Sequence, residues 1–139
     1  MEPKPYEELD PAELLALCIW REARSEDLII KHGVAHVVLN RVKQAGWWGN
    51  TIHTVILKPW QFNSFNADDP NNMKWPEESD PDWQDSLSAA QNAIGGGDDV
   101  TDGATYYHDT RVDFPKSWGS EDEYQRTMSY GKLNFYKQV

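Results

Sequence analysis

The chain has one cysteine in 139 residues, so an intramolecular disulfide is excluded. Cys18 sits inside an apolar run, where a free thiol behaves as a small hydrophobe rather than as an exposed, electropositive nucleophile. Basic residues are also scarce: 13 Lys and Arg stand against 23 Asp and Glu, a formal charge of −10. That balance argues against an electrostatic grip on nucleic acid or on an anionic membrane. No stretch approaches the roughly 18 apolar residues of a membrane span. Met1 to Asp10 is acidic and proline-bearing, without the basic flank and apolar centre of a secretory signal. The expectation from this is synthesis in the cytoplasm, with release or delivery needed for any action outside it. His32 and His36 are four apart, but no glutamate stands where a zinc-protease helix needs one, so neither metal nor cofactor is expected.

What is present points to a single domain, long enough to bury a core without staples. Residues 1–9 read as an N-terminal tail and 10–139 as the domain. Asp10-Pro11-Ala12-Glu13 supplies an N-cap, a first-turn proline and a capping-box glutamate, which predicts a helix from there to about Arg24 or Ser25. A second helix is predicted over Leu28 to Gln44, with Val34, Val37, Val38 and Val42 inward and Gly46 closing it. A short third follows Thr51 and stops before Pro59. The fourth opens at Asp80-Pro81, turns Trp83, Leu87, Ala90 and Ile94 to one face, and ends at Gly95-Gly96-Gly97. A long polar loop, Asn63 to Ser79, separates the third and fourth, and a loop of that length is usually functional or mobile. Ala104 to His108 reads as a strand, with Arg126 to Met128 and Leu133 to Tyr136 as pairing partners for it. The fold class is α+β, mostly helical, with a small antiparallel sheet late in the chain.

Chemistry is suggested first by Glu22. It follows Leu14, Leu15, Leu17, Cys18, Ile19 and Trp20 in a helix that must be largely buried. Burial disfavours the charged carboxylate and raises its pKa, leaving a proton that can be given to a leaving oxygen. A solvated helix glutamate is the commoner fate of this residue type.

The blocks Glu22-Ala23-Arg24-x-Glu26, Val34-Ala35-x-Val37-Val38-Leu39-Asn40-Arg41-Val42, Pro59-Trp60-Gln61-Phe62, Asn66-x-Asp68-Asp69-Pro70-Asn71 and Gly103-Ala104-Thr105-x-Tyr107-His108 occur in that order. Together, from about Leu14 to Tyr136, they resemble the cell-wall hydrolase family typified by the spore-cortex-lytic enzymes. The Pro-Trp-Gln-Phe and Asp-Asp-Pro-Asn segments are similar to versions from phages and proteobacteria. The resemblance implies a lysozyme-like or lytic-transglycosylase-like domain that cleaves bacterial peptidoglycan, with Glu22 as catalytic acid. In a one-acid scheme Glu22 would protonate the glycosidic oxygen and then serve as base for the muramic acid 6-hydroxyl, giving a 1,6-anhydro end. A hydrolytic muramidase, an amidase and a glycan-binding or virion module without turnover are the alternatives.

Around Glu22, the resemblance and the residue types nominate further positions. Gln61 and Phe62 suit recognition of N-acetyl groups and stacking on a sugar face, although Trp60 and Phe62 are equally suited to a core. Tyr107 and His108 can hydrogen-bond sugar or steer Glu22, and His108 alone is also explained as structural. Seven tryptophans is a high count for this length, and Trp47-Trp48, Trp75 and Trp118 are candidates for a glycan groove, whereas Trp83 fits helix packing. Arg24 and Glu26 are expected to organise the loop after the first helix, and Asn40 and Arg41 to serve the scaffold. One departure is Leu133, in Gly131-Lys132-Leu133-Asn134-Phe135, where family members commonly carry histidine.

Overall fold

The computed structural model describes residues 1–139. Four helices form the body: α1 (Pro11–Ala23), α2 (Leu28–Gln44), α3 (Ile52–Leu57) and α4 (Pro81–Ile94). Helix α1 begins as its sequence dictates, with Asp10 accepting from the Glu13 backbone N–H and Glu13 returning the bond to Asp10. Every residue from Leu14 to Ile19 is fully buried, so the helix is apolar all round and the other three pack about it. No helix is long and apolar enough to cross a membrane.

Helix α2 ends one step sooner than the glycine signal suggests. Ala45, not Gly46, takes the first positive φ, and its N–H closes on the Arg41 and Val42 carbonyls. On α4 the buried face is Trp83, Ser86, Ala89, Ala90 and Ala93. Ile94, expected inward, is the last residue of α4 and is exposed.

The strands are β1 (Tyr106–Asp109), β2 (Tyr124–Tyr130) and β3 (Leu133–Gln138), antiparallel in the order β1-β3-β2. This corrects the expected pairing: β2 is not hydrogen-bonded to β1 but pairs with β3. The reason is local. Tyr130 pairs with Leu133 across Gly131-Lys132, and Gly131 supplies the positive φ that a two-residue hairpin needs. The sheet packs on α2 through Phe135, whose ring occupies the place of a Cβ at Gly33. A side chain there would stand 2.7 Å from the ring, so glycine in mid-helix permits the close approach.

The long loop is ordered, with 3-10 turns at Asn63–Phe65 and Pro70–Met73. Residues 1–9, read as a tail, pack on the body: Leu9 is buried and Tyr6 stacks on Trp75 of the loop. The buried Lys31 ammonium donates to the Glu26 carbonyl (2.6 Å) and to Asp82 (2.8 Å), tying the α1–α2 turn to the start of α4.

Candidate active site

Glu22 lies in the last turn of α1 and faces a cleft of about 570 Å³. Burial raises its pKa above the ordinary glutamate value. A hydrogen bond from Tyr107 and the nearby Ser64 hydroxyl oppose that rise, and the charge of Asp69 reinforces it. The Ser64 hydroxyl is itself enclosed and makes no hydrogen bond of normal geometry, so Tyr107 is the firm partner.

Strand alternation decides which residues of β1 serve this carboxyl. Tyr107 turns toward α1 and donates its O–H to Glu22 Oε1 at 2.7 Å. Burial, and then the charge of Glu22, push the Tyr107 pKa well up, so its hydroxyl remains a donor. His108 turns the other way. Its Nε2 lies 3.1 Å from the Tyr136 hydroxyl, its Nδ1 2.9 Å from the Asp109 carbonyl, and its ring stacks on Tyr136. It is not among the residues lining the cleft but backs Trp118, whose ring lies 5.8 Å away.

Arg21, immediately before Glu22, anchors the long loop. It is buried and donates five hydrogen bonds, to the carbonyls of Ser64, Asn72 and Lys74 (twice) and to the Tyr6 hydroxyl. The rings of Tyr6, Phe65 and Trp75 stand within 5.4 Å of its guanidinium. One helical turn thus presents the acid to the cleft and fixes the loop that forms part of its wall. The sequence carried a faint signal of this in a charged residue set between Trp20 and Ala23 on a buried helix.

Arg41 has a double role. Its Nε donates to the Thr105 carbonyl (2.8 Å), and it lies among the rings of Trp48, Phe62 and Tyr106 at 5.2 to 5.5 Å. It also lines the cleft, so it is more than scaffold. Asn40, its neighbour, donates to Asp99 (2.8 Å) and to the Ala104 carbonyl (2.9 Å). Together the two residues bind the segment leading into β1 to α2, which places Tyr107.

Gln61 and Trp118 line the cleft, as does Phe62, although its side chain belongs to the core at 2% exposure. Trp47 and Trp60 line it too and are the most exposed aromatic side chains, at 66% and 70%. Arg24 and Glu26 do not pair with each other. Arg24 lies over the Trp20 ring and donates to Asn71 Oδ1, while Glu26 pairs with Lys132 of the β2–β3 turn at 2.8 Å. Leu133 lies off the cleft, packed beside Tyr107 in the apolar core. Of all the residues lining the cleft, Glu22 alone bears a carboxylate.

A family model described as Cell Wall Hydrolase matches residues 25–136. The match begins just beyond Glu22. The structure is similar, over 97% of this chain and 94% of the other, to the crystal structure of the catalytic domain of the Bacillus cereus SleB protein, with a TM-score of 0.72 and 28% identity. It is similar to the same degree, TM-score 0.72 and 26% identity, to the catalytic domain of the germination-specific lytic transglycosylase SleB from Bacillus anthracis, over 98% of this chain and 100% of that one. These alignments leave too few residues uncovered to omit α1. No curated protein matches the chain by sequence.

Proposed function

The chain belongs to the cell wall hydrolase family, and from that premise we propose that it cleaves peptidoglycan glycan strands between N-acetylmuramic acid and N-acetylglucosamine, as a lytic transglycosylase. The observation that carries this reading is the single carboxylate in the cleft, half-buried and hydrogen-bonded to Tyr107. An inverting hydrolase works with a second carboxylate about 6.5 to 9.5 Å away to activate water, and a retaining one with a second at about 5 to 5.5 Å. A one-acid mechanism needs neither.

Glu22, whose burial favours the protonated form, gives its proton to the bridging oxygen as the bond from muramic acid C1 to that oxygen breaks. The N-acetylglucosamine side leaves with a restored 4-hydroxyl. The Glu22 carboxylate left behind, stabilised by the Tyr107 hydroxyl, takes the proton of the muramic acid 6-hydroxyl as that oxygen closes on C1. The product is a 1,6-anhydro end, no water is consumed, and Glu22 is again protonated. Gln61 and the aromatic walls would hold the sugars by hydrogen bonds and stacking, since the net charge of −10 offers no attraction to an anionic wall.

The test is mass spectrometry of the fragments that the wild type and Glu22→Gln release from purified peptidoglycan. Anhydro-muramic ends from the wild type that vanish in the variant are expected. Reducing muramic ends would mean a hydrolytic muramidase, and release of peptide without sugar ends would mean an amidase.

A further inference from the structure

Trp60 stands in a backbone conformation that a tryptophan ordinarily avoids. The Gln61 N–H bonds the Lys58 carbonyl at 3.2 Å, closing a four-residue turn in which Pro59 holds the second position and Trp60 the third. Trp60 has φ +69°. Proline followed by a positive φ defines a type II turn, whose third position favours glycine or asparagine. The Trp60 N–H is held by Asn66 Oδ1 at 3.3 Å. Packing does not explain the choice of residue, because the side chain is 70% exposed.

The position explains it. Trp60 is a wall shared by the cleft of Glu22 and by a second cavity of about 370 Å³. Leu57 and Phe65 give that cavity apolar surface, and Asn66 and Asp68 give it polar atoms. An apolar face bordered by an amide and a carboxylate fits a pyranose ring, which has an apolar face and equatorial hydroxyl and acetamido groups. A strained, solvent-exposed aromatic between two such spaces is characteristic of a functional position rather than a structural one.

We propose that Trp60 is a stacking platform for an N-acetylated hexosamine unit in an additional subsite, the cavity of Leu57, Phe65, Asn66 and Asp68, beyond the cleft that holds Glu22. This rests on the reading of that cleft as a glycan site. The platform selects for strands long enough to cross from one cavity to the other.

The test uses peptide-free glycan strands of four and eight sugars, with affinities measured by calorimetry on Glu22→Gln alone and combined with Trp60→Gly or Trp60→Phe. Trp60→Gly is expected to weaken octasaccharide binding about 3- to 10-fold, the range for loss of one stacked ring, with a smaller loss for the tetrasaccharide. Trp60→Phe is expected to recover most of the loss. Glycine also relieves the turn, so the thermal midpoint of Trp60→Gly should hold or rise by roughly 3 °C. Octasaccharide binding equal to the parent, or a clear fall in the midpoint, would overturn the platform. Fragment release by the wild type separates the two readings: cleavage with unchanged Trp60→Gly binding removes only the extra subsite, whereas no sugar ends from the wild type removes the glycosidase reading and the subsite with it.

Discussion

The Tyr107 hydroxyl and Glu22 Oε1 meet at 2.7 Å across 85 positions of sequence, joining a strand of the late sheet to the end of the first helix. The bond favours the charged form of Glu22, and so stabilises the carboxylate that exists after the proton has gone to the leaving oxygen. Tyr107→Phe is expected to lower kcat roughly 10- to 100-fold, the value of a hydrogen bond to a charged group. It should also move the alkaline limb of the pH–rate profile upward, because the Glu22 pKa loses an influence that lowers it. A variant with an unmoved limb and a kcat within twofold of wild type would show the contact to be incidental.

Glu22→Gln should separate activity from stability. Loss of the acid is expected to cost about 10²- to 10⁴-fold in rate. The folded state holds the Glu22 proton at pH values where the unfolded chain has lost it. Stability therefore falls as pH rises from the ordinary glutamate value through the raised one. Above that interval glutamine, which bears no charge, should unfold at a higher temperature than wild type, and the difference should close in acid. Thermal melts across pH check this, and a variant less stable than wild type at every pH would contradict it.

Arg21→Met would remove four hydrogen bonds to the loop and one to Tyr6, and leave the carbonyls of Ser64, Asn72 and Lys74 short of a donor. The expected loss is about 3–5 kcal/mol, seen as a fall in the thermal midpoint of about 10 °C or more. Amide exchange should rise first in residues 63–79. Uniform loss of protection across all four helices would place the effect elsewhere.

Lys31→Met breaks a buried contact whose far partner, Asp82, is partly solvated. The Lys31 ammonium is the main cause that holds the Asp82 carboxyl below the usual aspartate range. Stability from a depressed carboxyl is present above the ordinary aspartate pKa and is lost as pH falls through the folded value. The variant should therefore lose about 2–3 kcal/mol near neutrality, reduced from the fully buried case by solvent, and less in strong acid. Equal losses at both ends of the pH range would assign the cost to packing alone.

Leu133→His introduces the residue that the family resemblance leads one to expect, but the side chain packs against the apolar core and not in the cleft. A cost of about 1–3 kcal/mol in stability and no gain in rate are expected. A variant that cleaves faster would show that position 133 reaches substrate.

Where the information was local, the sequence was legible. Asp10, Pro11 and Glu13 set the start of α1, and the periodic valines marked α2 from Leu28 to Gln44. The desolvation of Glu22 follows from the apolar residues before it. Strand order was not legible from apolar content, because it turns on the Gly131-Lys132 hairpin. Arg21 and Arg41 were hidden for a different reason: in a sequence, an arginine that satisfies buried carbonyls looks like one that faces water. The fates of Tyr107 and His108 depend on the parity of one short strand, which periodicity alone leaves open.

That parity has a guardian. A slip of β1 by one residue against β3 would send an imidazole toward the acid and strand the phenol on the far side. His108, Phe114, Trp118, Tyr124 and Tyr136 form one ring cluster, in which His108 stacks on Tyr136 and meets Phe114 and Trp118 by its edge, while Trp118 and Tyr124 reach the cleft. These rings act together as the frame that keeps the Tyr107 hydroxyl in phase with Glu22. Damage to that frame would present as a chemical lesion in a protein that still looks folded.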